Sequence, residues 1–419
     1  MDLTPLPVAP TTSSATDAAA APARTPPPSL QKTLLKALLH DHLFWLLLLL
    51  LAGLSLADPA RISSYPGLVD WPTMATLTGL LMLTKGVELS GFLRKAGALL
   101  LARTKSERSL ALLLVGATAL LAPLLTNDVA LFVVVPLTLT LGRVGTGESP
   151  GTDDQRVDKP ASGGLPVVRL IIFEALAANA GSTLTPIGNP QNLYLWQQSH
   201  GSFLAFCAAM LPLALLLLGS LLLLTACLFS GRANPPAPAS QGDPVDPVNR
   251  PMLLTCLALY LPFLVLTDLH HAPAALAGVL AIFLLRHRRV LAQVDWALLL
   301  VFMLMFVDLR LVAAAAPVRA LVASVDLAQA PRLYLAAIAA SQLISNVPAT
   351  ILLAQYSHDW RTLAHGVNVG GAGLAIGSMA NLIALRMAPQ RRAWLLFHAY
   401  SVPYLVVTGA ITWAWLTLR

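Results

Sequence analysis

Long apolar runs constrain this chain more than any other feature. They fall at residues 43–57, 72–84, 203–229, 251–267, 273–285, 296–316 and 394–418. A helix rises 1.5 Å per residue and a bilayer's hydrocarbon core is roughly 30 Å thick, so about twenty apolar residues cross it. Charge is scarce to match. Only 11% of the 419 residues are charged, against about 25% in a soluble domain. Water is therefore not the main solvent, and the expected fold class is an all-α polytopic membrane protein.

The net charge of +7 would suggest nucleic acid in a soluble protein, but here Lys and Arg sit in short loops between apolar spans and read as orientation signals. No nucleic-acid partner is expected; the lipid bilayer is. With the N-terminus cytoplasmic, twenty-one of the twenty-seven basic residues collect on the inner side. Arg61, Arg319, Arg332, Arg361 and Arg419 lie outside and Arg310 within a span, so the C-terminus is periplasmic or extracellular. Residues 1–32, rich in Ala, Pro, Ser and Thr, read as a disordered cytoplasmic tail, and 33–68 as the first transmembrane helix. Cys207, Cys227 and Cys256 have no ligand-like spacing and read as core residues.

That orientation requires two segments to enter the membrane and return on the same side. Residues 109–142 would make a straight helix of roughly 50 Å, too long for one span. Its middle reads Pro123-Leu124-Leu125-Thr126-Asn127-Asp128 and basic residues flank both ends, which predicts a re-entrant helical hairpin. Residues 333–357 predict a second hairpin, broken at Ser345-Asn346-Val347-Pro348.

Residues 178–193, ANAGSTLTPIGNPQNL, align without gaps on residues 367–382, VNVGGAGLAIGSMANL. Asn179/Asn368, Gly181/Gly370, Ile187/Ile376, Gly188/Gly377, Asn192/Asn381 and Leu193/Leu382 are identical, at an offset of 189. Val69-Asp70-Trp71 matches Val294-Asp295-Trp296, and Leu125-Thr126-Asn127 resembles Ile344-Ser345-Asn346, in the same order. The first Val-Asp-Trp starts outside and the second inside, so the halves are expected to be inverted repeats. Repeat 1 covers 69–229, with a polar cytoplasmic insert at 145–165 and a broken helix at 167–195. A cytoplasmic linker and connecting helix pair occupy 230–293, and repeat 2 covers 294–419 with its broken helix at 367–386. Inverted repeats around broken helices are a secondary-transporter architecture.

Non-helical backbone at membrane depth is tolerated only where protein buries it or it lines a water-filled cavity. Four such points are expected: Thr126 to Asp128, Thr185 to Asn192, Ser345 to Pro348 and Gly370 to Asn381. Asn189 before Pro190 reads as a cap, Asn127 or Asp128 as the cap of the first hairpin's second arm, and Ser378 as the cap of a restart after Gly377. Helix N-termini converging on the midplane offer N–H groups to an anion, while carbonyls with Asn and Thr oxygens suit a small cation.

At these motifs the sequence resembles the ion transporter superfamily, which includes divalent anion/sodium symporters, citrate-transporter-like permeases, arsenical-pump membrane proteins and one branch of Na⁺/H⁺ antiporters. The resemblance rests on Leu125-Thr126-Asn127-Asp128 with Pro136, on Leu184 to Asn192 (LTPIGNPQN), on Ser345-Asn346-Val347-Pro348 and on Ile376 to Leu382, and it spans roughly residues 40–418. It implies an elevator-type transporter, a homodimer, with Thr126, Asn127, Gly188 and Asn189 as one cradle and Ser345, Asn346, Gly377 and Ser378 as the other. Na⁺ would sit at Thr126, Asn127 and Gly188. Where the dicarboxylate symporters have Ser-Asn-Thr at both tips, this chain has Asp128 and Val347 in third position. Asp128 points toward proton coupling or cation charge balance and away from a simple di- or tricarboxylate, which an ionised carboxylate would repel.

The candidate substrate- and ion-binding set is thus Thr126, Asn127, Asp128, Thr185, Gly188, Asn189, Asn192, Ser345, Asn346, Gly377, Ser378 and Asn381. Among other ionisable residues, Glu174 reads equally as cavity wall or as a partner of Arg169. Asp308 and Arg310 each need a partner elsewhere, Lys85 and Glu88 form an interfacial pair at i,i+3, and His200, His270, His271, His358 and His365 lie in outer loops. No GxxxxGK[ST] loop, zinc spacing or Ser-His-Asp arrangement occurs, so neither enzyme activity nor a cofactor is expected. The expected function is secondary transport of a small anion or oxyanion across a bacterial inner membrane, coupled to Na⁺ or H⁺. A Na⁺/H⁺ antiporter and an arsenite or antimonite efflux permease, the latter with or without a separate ATPase subunit, are the alternatives.

Overall fold

A computed structural model describes residues 38–39, 41–101, 106–146, 166–231, 247–390 and 392–418. The expected tail at 1–32, the polar insert from 147 onward and linker residues 232–246 lie outside the described residues. Among those described, all regular elements are helices.

The fully described elements start with α1 (His42–Ala57), a 3-10 turn (Pro59–Ser64) and α2 (Tyr65–Leu68). The first half then runs through α3 (Trp71–Leu89), α4 (Phe92–Leu101), α5 (Glu107–Leu125), α6 (Asn127–Thr146), α7 (Val167–Ser182), α8 (Pro190–Ser199) and α9 (Phe203–Leu228). The connection contains α10 (Arg250–Asp268), α11 (Ala272–Arg286) and α12 (Arg288–Leu291). The second half comprises α13 (Trp296–Ala314), α14 (Ala316–Val325), α15 (Ala330–Ile344), α16 (Asn346–Leu353), α17 (Trp360–Val369), a 3-10 turn (Ala375–Gly377), α18 (Met379–Met387) and α19 (Ala393–Thr417).

Helices α5, α9, α10, α13 and α19 are long and apolar enough to cross a membrane. The distribution of side chains suits that solvent. Leu204, Leu215, Leu254, Leu261 and Leu395 point outward, whereas Asn189, Asn192, Ser378 and Asn381 are almost wholly buried. A soluble protein puts these residue types the other way round.

Several expected boundaries move. Of the stretch expected as the first helix, 33–68, residues 33–37 lie outside the described residues and α1 ends at Ala57: the Asp41 carboxylate accepts from the Leu43 and Phe44 N–H groups at the start of α1, and Pro59 opens the 3-10 turn that follows Asp58. The hairpins span 107–146 and 330–353, wider at the start than expected because Ser106 caps α5 and Pro331 sits at the start of α15. The second broken helix starts at Trp360, where Asp359 caps Thr362 N, seven residues before the expected 367. His365 is consequently buried in α17 and not in an outer loop, with Nδ1 2.5 Å from the Arg361 carbonyl.

In each half the hairpin's first arm packs on the broken helix, α5 on α7 and α15 on α17. Close approach needs small residues there. A Cβ on Gly181 would lie 2.2 Å from the Ala119 carbonyl oxygen, and one on Gly370 would lie 2.7 Å from Ser341 Cβ. The restart helices behave differently. α8 packs on α16 and α17 of the second half, while α18 packs on α6 and α7 of the first.

Candidate functional site

Both hairpins break at one residue. Thr126 (φ 82°, ψ 151°) and Ser345 (φ 75°, ψ 156°) occupy the same sparsely populated backbone region, unusual for residues other than glycine. Each tip is buried. The expected capping by Asn127 or Asp128 is not what forms: Asn127 Oδ1 accepts only from the adjacent Asp128 N–H, and the cap position before α16, Ser345, makes no side-chain cap bond. The turn is made by backbone, leaving polar side chains at both tips with unused groups. Asp128 Oδ1 and Ser345 Oγ are buried and have no hydrogen-bond partner among the described residues.

The broken-helix turns supply the other walls. Asn189 caps α8 by accepting from Asn192 N–H at 2.9 Å, and Ser378 caps α18 by accepting from Ala380 N–H at 3.3 Å. The Asn127 N–H donates to the Gly188 carbonyl at 2.9 Å, and Thr185 Oγ1 to the Pro123 carbonyl at 2.6 Å, so the first tip hangs on the first turn. Asn346 lies against Gly371, whose Cβ would be 3.3 Å from its Nδ2. Gly188 and Gly377 leave no room for a side chain, since a Cβ would meet the Ser182 carbonyl at 2.3 Å and the Gly370 carbonyl at 2.7 Å.

Beneath the tips the two turns are joined by amides. Asn179 Nδ2 donates to Asn381 Oδ1 at 2.8 Å, and Asn368 Nδ2 to Asn192 Oδ1 at 2.7 Å. Ser378 Oγ donates to Asn179 Oδ1 at 2.9 Å, and Asn189 Nδ2 to Asn368 Oδ1 at 3.0 Å. Asn192 Nδ2 donates to the Ser182 carbonyl and Asn381 Nδ2 to the Gly371 carbonyl. Of the twelve candidate residues, Asn189, Asn192, Ser378 and Asn381 therefore spend their polar groups on protein, while Asp128 and Ser345 retain free oxygens. Sequence reading left Asn179 and Asn368 out of the set, although both stood out as identities in the repeat. Gln342, which donates to the Gly370 and Ala372 carbonyls and accepts from Leu374 N–H, carried no local signal at all.

Two of the remaining ionisable residues, Glu174 and Arg310, find partners the sequence did not name. Glu174 does not pair with Arg169. It is fully buried and accepts a hydrogen bond from Thr138 on α6, while Arg169 donates to the Leu228 carbonyl and lies over Phe229 and Tyr400. Arg310 bonds the Leu68 carbonyl at 2.9 Å and Asp70 at 3.5 Å, and Gln198 on α8 reaches the same Asp70 oxygen at 2.5 Å. Asp308 is fully buried with neither oxygen bonded among the described residues. Lys85 and Glu88 form the expected pair at 2.9 Å.

Comparison with known proteins supplies the family. The profile described as Citrate transporter (CitMHS) matches residues 41–359. The chain is 46% identical to Inner membrane protein YbiR of Escherichia coli K12, covering 92% of this chain and 98% of that one. It is 32% identical to the uncharacterized transporter MJ0456 of Methanocaldococcus jannaschii, covering 81% and 86%. A shorter match, 28% over 185 residues, covers 43% of this chain and 34% of the silicon efflux transporter LSI3 of Oryza sativa. With a profile match across most of its length and a long relative at 46% identity, the chain belongs to the citrate transporter family of membrane transporters, within the ion transporter superfamily.

Proposed function

We propose that this transporter is a secondary carrier of a small anion or oxyanion in the inner membrane, coupled to Na⁺ or H⁺. The observation that carries the reading is the pair of matched tips, each with a buried polar oxygen that has no hydrogen-bond partner among the described residues. Buried polar groups are bonded as a rule, so orphans at two related helix breaks suit groups held for a ligand. Thr126, Asn127, Asp128 and Gly188 would take the cation, and Ser345, Asn346 and the uncapped start of α16 the anion. The reciprocal bonds at an offset of 189 support inverted repeats. The unit α5–α8 with α15–α18 would then move as an elevator against α3, α10, α11 and α13, in a dimer with cytoplasmic N-termini and both hairpins re-entrant.

A thermal-shift screen of anions and oxyanions in NaCl and in choline chloride, followed by flux in proteoliposomes, tests this. A ligand at a hundred times its Kd stabilises by about 2.7 kcal/mol. At least one anion should shift Tm and move down an imposed Na⁺ or H⁺ gradient. No shift and no flux under either gradient overturns the reading, and proton movement driven by Na⁺ alone replaces it with Na⁺/H⁺ antiport.

A second reading, efflux of a neutral metalloid hydroxide such as arsenite or antimonite, is favoured by Asp128, whose charge opposes an anion, and by the similarity to a silicon efflux transporter. Unchanged cellular sensitivity to these metalloids after gene deletion would count against it.

A further inference from the structure

The bonds beneath the tips follow one rule. Under the offset of 189, Asn179 corresponds to Asn368 and Asn192 to Asn381, so the Asn179–Asn381 bond becomes the Asn368–Asn192 bond with donor and acceptor roles preserved. The Ser378–Asn179 bond likewise becomes the Asn189–Asn368 bond. In every case a broken helix of one half bonds the restart of the other. Helix packing repeats the crossing, since α8 lies on α16 and α17 and α18 on α6 and α7. All four asparagines are buried, with Asn192 and Asn381 at 0% exposure.

We infer that Asn179, Asn192, Asn368 and Asn381 form a crossed interlock in which each restart helix is held in place by the opposite half. Asn179 and Asn368 are its positioning residues, acting on the site through Asn381 and Ser378 in one case and through Asn192 and Asn189 in the other. A buried amide deprived of its partner loses a bond and keeps its desolvation penalty, so the deficit appears where the partner sits, about two hundred residues away in the chain. The interlock does not depend on what the site carries. Each binding turn nevertheless owes its shape to both halves, and ligand-bearing groups of one half cannot be rearranged without the other.

Hydrogen exchange on the full-length protein in lipid nanodiscs, without added ligand, tests the crossing. Asn179→Ala should speed amide exchange about tenfold in residues 379–387 and leave 190–199 within twofold. Asn368→Ala should do the reverse. A local structural role would move exchange only in the variant's own broken helix, 167–182 or 360–369, and that result overturns the interlock. Should the alanine variants fail to fold, Asn179→Leu and Asn368→Leu keep the volume and branching of the side chain and remove its hydrogen bonds without adding a charge. The same crossed pattern in these supports the interlock, and exchange unchanged in the opposite restart refutes it.

Discussion

The two hairpin tips share a backbone and differ in chemistry. Thr126 and Ser345 agree within about ten degrees in φ and ψ, yet the first is followed by Asn127-Asp128 and the second by Asn346-Val347. Geometry is thus common to both halves, and the third residue carries what distinguishes them: a carboxylate on one side and an isopropyl group on the other. Two tips built alike but charged differently suit a site that takes two different ligands.

The shared asparagine offers the hardest test of that comparison. Asn127→Ala or Asn346→Ala is expected to lower flux in proteoliposomes at least tenfold, with the protein still monodisperse in detergent. Wild-type flux in either variant breaks the equivalence of the tips. Less drastic is the packing contrast beneath them. Gly181 faces backbone and Gly370 a serine side chain, so Gly181→Ala should cost about 3 kcal/mol and Gly370→Ala about 1 kcal/mol, read as loss of Tm. Equal losses would show that the first arm of each hairpin is held alike.

The difference between the tips is sharpened by Asp128→Asn and Val347→Thr. The former should alter the Na⁺ or pH dependence of flux several-fold, and the latter should leave it within twofold. An unaltered ion profile in the Asp128 variant reduces that residue to a buried structural group. The two Val-Asp-Trp motifs differ in the same sense. Asp295 only caps Leu298 N–H, and Asp295→Ala should cost about 1 kcal/mol. Asp70 caps Thr73 N–H and also meets Arg310 and Gln198, so Asp70→Ala should cost more, about 2 kcal/mol.

Much of this was legible in the sequence, and the reasons are local. Asn189-Pro190 announces its own helix start, and a break between Pro123 and Asp128 follows from a stretch too long for one span. What involves distant partners was not legible. Aligning the halves pairs Asn179 with its copy Asn368, but the bonds join each to the copy's neighbour, and no pattern along the chain reveals a crossing. The polar run around Asp359 to His365 reads as a loop because its amphipathic face meets other protein and not lipid. Glu174 lies five residues from Arg169 along the chain, whereas its partner Thr138 comes from the second arm of the first hairpin.

The crossed restarts also bear on biosynthesis. Residues Asn189 and Asn192 are synthesised about 180 residues before Asn368, an interval of roughly 9 to 36 s at 5–20 residues per second. During it, α8 lacks α16 and α17, on which it packs in addition to α3, and Asn189 and Asn192 lack their bonds with Asn368. The first half must therefore be inserted unfinished and be completed from the second, which makes the last third of the chain a requirement for closing the first.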